Sequence, residues 1–161
     1  MTLATGTSVD VVKAQLAALF EATFAADTDP VTVLYGARAV ETLVEDRLVS
    51  IQGVTGTSQD DSLDSAGSFD ERYRVTVVCG VDLPGAGDEQ QQAITQAALA
   101  LWTRCKVALR AAPDQAIDAT AAAAGVMRAI PVAEFELAER ADEKGRAAAI
   151  RWGVDVIAQR T

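Results

Sequence analysis

Residues 72–83, RYRVTVVCGVDL, alternate strictly: Tyr73, Val75, Val77, Cys79 and Val81 fall on one side and Arg72, Arg74, Thr76, Val78 and Gly80 on the other. A period of two is the signature of a strand with one buried and one wetter face, so the chain must build a sheet and something must cover that sheet's apolar side. The covering material is legible on either side of it. Val12, Leu16, Leu19, Phe20, Thr23 and Phe24 recur at helical spacing behind Ser8, which is placed to cap, and Asp10, which suits a first turn. Ile94, Ala98, Leu101, Trp102, Cys105, Ala108 and Leu109 form a second, longer stripe that starts at Asp88, with Asp88 and Gln91 spaced as a capping box, and stops at Pro113.

The remaining segments are strands and their connections. Pro30 biases Asp29 away from helix, and VTVLYG follows as a short strand. Residues 37–47 have helical spacing at Val40, Leu43, Val44 and Leu48 but are too short to assign. LVSIQ places Val49 and Ile51 opposite Ser50 and Gln52. Residues 53–70, with four Asp and three Gly, hold too little apolar surface to order themselves and read as the flexible tip of a hairpin. DQAIDATAAAAG suggests a short Ala-rich helix ending at Gly125. GVMRAIPVAEFELAER is apolar on both faces in its middle, which predicts a central strand, while Pro131 argues for a bulge or an edge. RAAAIRWGVDVIAQR sets Ile150, Trp152, Val154 and Val156 against Arg151 and Asp155. The order helix, strand, hairpin, helix, hairpin predicts a single α+β domain over 1–161: a mostly antiparallel sheet with two long helices on one face.

Chemistry is hard to find in this chain. It has no histidine, which removes the commonest general base and the usual Ser and Cys triads. Cys79 and Cys105 fall on buried faces without metal spacing and read as free thiols. The glycines of GVDLPGAGDEQ match neither GxGxxG nor GxxxxGK[ST], and Asp88 and Glu89 would repel a phosphate. QDDSLD lacks the EF-hand spacing. Glu134 and Glu136 share a strand face, and with Glu139 they read as an exposed face or a subunit contact. Trp102 and Trp152 sit within apolar stripes and are assigned to the core. The expectation is therefore no catalytic residue, no metal and no cofactor. The net charge of −9, from 23 acidic and 14 basic residues, disfavours a nucleic-acid reader. The N-terminal MTLATGTSVDVV lacks a signal pattern and no apolar run reaches membrane-spanning length, so synthesis in the cytoplasm without a membrane partner is expected.

The arrangement resembles the tail terminator (tail completion) proteins of long, non-contractile-tailed bacteriophages. The resemblance covers nearly the whole chain and is carried by DERYRVTVVCGV, by AALALWTRCKVALRAAPDQ and by the closing strand AAAIRWGVDVIAQR; the Ala-rich segment after Pro113 departs from a commoner Gly-rich turn. It implies a virion protein of the tail neck that forms a homo-hexameric ring on the last ring of the tail tube protein. Such a ring stops tube growth and offers a surface to the head-completion or connector protein. An acidic lumen would let DNA pass without specific binding. On that reading the long loop and its base, Asp60, Asp61, Asp64, Phe69, Arg72 and Arg74, are the candidate interface. The alternatives are another ring-forming connector or tube component, and a cytosolic α+β ligand-binding domain.

Overall fold

The computed structural model describes residues 7–36, 46–60, 69–112 and 115–160. Helix α1 (Val9–Phe24) precedes strand β1 (Val31–Tyr35); β2 (Asp46–Asp60) and β3 (Phe69–Pro84) form a hairpin. A 3-10 turn (Asp88–Gln90) leads into α2 (Gln91–Ala111), the short α3 (Ala119–Ala123) follows, and β4 (Val126–Asp142) and β5 (Gly145–Arg160) form a second hairpin. The five strands lie in the order β1-β2-β3-β5-β4. β1 runs parallel to β2 and every other pair is antiparallel. This is the expected α+β fold, with α1 packed on β1 and β2 and α2 on β3, β5 and β4.

Between helices and sheet lies one core. Val12, Leu16 and Phe20 of α1, Leu109 and Cys105 of α2, and Val49, Ile51, Val75, Val77, Cys79, Ile150 and Val154 of the sheet are fully buried. Trp152 sits at the junction: its ring lies 6.3 Å from that of Phe20, and its Nε1–H donates to Cys79 Sγ at 3.4 Å. The helices are tied together at the surface by Arg104, which donates to Thr23 O at 2.9 Å and to the Asp27 carboxylate, and which stacks 4.6 Å over the Phe24 ring. That guanidinium, through its hydrogen bond first, holds the Asp27 carboxyl below its ordinary range.

Four local expectations are corrected. Ser8 does not cap α1 with its hydroxyl. It is buried; its N–H donates to Glu71 Oε2 at 3.0 Å, its Oγ–H donates to the same oxygen at 2.5 Å, and Oγ lies 2.8 Å from Tyr73 Oη. A carboxylate on β3 thus takes up donors at the helix start, a stronger acceptor than a neutral hydroxyl. At the start of α2 the reciprocal bond is shifted by one residue, Gly87 N–H donating to Gln90 Oε1 at 3.1 Å, while the Gln91 amide donates to Thr95 and to Ala147 O.

The third correction concerns the span read as loop. β2 continues through Gly53 and Gly56 to Asp60, and β3 begins at Phe69, so of residues 53–70 only 61–68 fall outside the described residues. A register shift between Ile51 and Val54 absorbs the irregularity, and the backbone of β3 supplies partners that local composition cannot reveal. Gly56 is needed in that ladder, because a Cβ there would collide with the backbone of Arg72 and Tyr73. Fourth, β4 is an edge strand, not a central one. Its pairing with β5 breaks between Pro131 and Phe135, where proline cannot serve a ladder on both sides.

Candidate functional site

The face of the sheet turned away from the helices carries the charges. Strand register places Arg72 of β3 and Arg128 of β4 on either side of Ile157 of β5, in one cross-strand row. The next row reads Thr55, Arg74, Asp155, Ile130. These residues, with Tyr73 and Val156, line a groove of about 420 Å³. Arg74 is held by Asp155, Nε–H donating to Oδ1 at 2.8 Å and Nη2–H to Oδ2 at 3.3 Å, with Glu134 a further 3.9 Å away. Its aliphatic stem lies flat because residue 153 is glycine: a Cβ there would come within 2.8 Å of Arg74 Cδ. Arg72 and Arg128 are exposed and neither has an ion-pair partner among the described residues.

A second depression of about 300 Å³ continues past Arg74 towards the bulge of β4, bordered by Thr76, Glu134, Glu136 and Arg151. Beyond it β4 is exposed throughout residues 133–142, and Phe135 and Leu137 leave 52% and 39% of their surfaces open. Phe135 still touches the body of the protein, its ring 4.4 Å from that of Trp102, over which Lys106 Nζ sits at 3.5 Å. At the opposite side of the sheet β1 is the edge, and Tyr35, 53% exposed, donates to Asp10 at 2.8 Å.

Of the six residues singled out from sequence, Arg72 and Arg74 are brought together in the groove. Asp60 and Phe69 pair with each other at the last rung of the β2–β3 ladder, and Asp61 and Asp64 lie outside the described residues. Sequence reasoning missed Arg128 and Asp155. Asp155 enters the groove through the pairing of β5 with β3 and Arg128 through the pairing of β4 with β5, relations that no local spacing announces. Elsewhere, the thiols of Cys79 and Cys105 are free, buried and 4.0 Å apart. The sulfur–sulfur hydrogen bond, together with burial, pushes the Cys105 thiol far above its usual range, which makes it a poor nucleophile at neutral pH. Among the described residues no three His, Cys, Asp or Glu side chains gather as a metal site, and no helix is long and apolar enough to cross a membrane. No protein-family model matches this sequence, and no curated protein matches it.

Proposed function

We propose that this chain is a structural subunit that assembles head-to-tail into a hexameric ring, in the role of a phage tail terminator. The ring would cap the head-proximal end of the tail tube, halt its growth and present a joining surface to the head connector. The observation that carries this reading is the pair of unlike edges on one sheet. β4 offers an unbroken run of ten exposed residues, 133–142, with Phe135 and Leu137 among them, and β1 offers a five-residue edge that pairs with no second strand among the described residues. An exposed strand edge is a template for pairing with another chain. When one patch meets a different patch on the next copy, the contact is heterologous, and it repeats into a closed ring where the rotation between copies closes and into an open filament where it does not. The net charge of −9 supports the same reading, since six copies around a channel would repel the phosphates of a passing duplex.

The test is negative-stain imaging of the purified protein over a range of concentrations, with solution mass on the same samples. Single closed rings of six with a central hole are expected. Long stacked tubes would instead make the chain a tube subunit. A monomer that neither forms rings nor caps isolated tails would overturn the proposal.

A further inference from the structure

With 23 carboxylates to 14 cations, this chain has acid enough to neutralise every arginine it carries. Arg74, Arg104, Arg140 and Arg146 all have carboxylate partners. Arg72 and Arg128 do not, among the described residues, although they stand in one row with only Ile157 between them. Two strand spacings separate their backbones by about 10 Å. Two guanidiniums at that distance repel one another; of the described carboxylates nearest in register, Asp155 is engaged by Arg74 and Asp70 stands two residues along the strand from Arg72, and neither forms an ion pair with Arg72 or Arg128. Arg74 lies in the same groove but is neutralised by Asp155, to which it donates two hydrogen bonds, so the groove's uncompensated charge rests on Arg72 and Arg128. The groove is not purely polar: Ile130 and Ile157 are half-buried in its floor.

A ligand for this groove must bring carboxylates or similar oxyanions at its ends and something apolar in the middle. A nucleic acid fits badly, because its phosphates extend past the groove onto the surface of a protein whose net charge is −9. A short acidic peptide fits, since guanidinium forks recognise carboxylates bidentately. The chain itself carries such a sequence. Residues 59–64 read QDDSLD, with carboxylates at Asp60, Asp61 and Asp64 around Leu63. We propose that the Arg72–Arg128 groove receives this acidic segment from a second copy of the chain, the carboxylates on the two arginines and Leu63 over Ile157. The inference rests on the ring reading, for which it supplies one heterologous contact.

The experiment is fluorescence anisotropy of a labelled peptide, TSQDDSLDSAG (residues 57–67), titrated with the dilute full-length chain. Binding is expected to weaken with added salt. It should weaken about tenfold or more in Arg72→Glu/Arg128→Glu, the loss of about one charged hydrogen-bonded pair or more. Arg110→Glu, an exposed arginine on α2 remote from the groove, should bind as the unaltered chain does, and circular dichroism checks that each variant is folded. Equal binding by the double variant, or by a peptide with Asn in place of all three Asp, overturns the proposal. So does a failure to bind at all, or a short DNA duplex that binds more tightly than the peptide. Binding seen only when the chain's own Asp60, Asp61 and Asp64 are changed to Asn would mean that the segment fills the groove within one copy, which also overturns it. Because the titration needs no assembled ring, rings without peptide binding would sink the groove alone. Peptide binding by a chain that never forms rings would sink the ring alone.

Discussion

Along β3, Val75, Val77, Cys79 and Val81 turn towards the helices and are no more than 5% exposed, whereas Arg72, Arg74, Thr76 and Val78 between them turn away. The same alternation runs along β5, where Ile150, Trp152 and Val154 are buried and Arg151 is exposed. Strand pairing holds both faces in one register, so they share a geometry and differ in what they ask of the side chain. The covered face needs shapes that fill space against α1 and α2, because an interior is close-packed and its voids are costly. The other face is set by charge and backbone pairing. Its chemistry can therefore serve an interaction without a matching loss of stability.

The neighbouring valines 77 and 78 put this difference to the test. Val77→Ala should destabilise the chain by about 2.5 kcal/mol, from two lost methyl groups plus the cavity they leave under the helices. Denaturant titration measures it, and a loss under 1 kcal/mol would mean that the core readjusts around the site. Glu71→Ala comes next, at about 2 kcal/mol, since it leaves the buried Ser8 N–H and Oγ–H without their carboxylate. Replacing Ser8 by Ala in the same background should then cost less than it does in the unaltered chain, which a double-mutant cycle reads directly. Val78→Ala, the same chemical change on the half-buried other face, should cost about 1 kcal/mol or less. If Val77 and Val78 cost the same, the two faces are not energetically distinct.

The smallest effect is one of pH. The Asp27 carboxyl titrates lower in the folded chain than in the unfolded one because Arg104 bonds its charged form. The stability this contributes is therefore complete above the ordinary carboxylate pKa, about 4, and is lost as pH falls through the lower folded value. Arg104→Ala should flatten the acid limb of the stability profile below about pH 4 and leave the neutral plateau's pH dependence unchanged.

The elements legible in the sequence were those whose burial depends on their own spacing. The stripes of α1 and α2 and the alternation of β3 and β5 say which side is covered whatever covers it. What the sequence concealed depends on partners far along the chain. Ser8 has the residue type of a helix cap, yet its acceptor is Glu71, sixty-three positions away. Gly53 and Gly56 look like loop until β3 offers them a ladder. The apolar middle of β4 looks central, whereas its phenylalanine and leucine stand open on an edge, with Pro131 the sole local hint. Half of the groove, Arg72 and Arg74, could be picked out from the wetter face of one strand. Arg128 joins them only because Ile157 lies between β3 and β4.

The place of β5 has a consequence for how the protein is made. It is the fifth strand in chain order but occupies an interior position, pairing with β3 from Phe69↔Arg160 to Pro84↔Gly145 and with β4 on its other side. A ribosome delivers α1, the first hairpin and α2 well before it delivers β5. Until β5 emerges, β3 presents an unpaired edge sixteen residues long, and α2 has only part of its platform. Until then the nascent chain carries a β-branched edge that invites mispairing, and the sheet is completed only when its last-made strand inserts between β3 and β4.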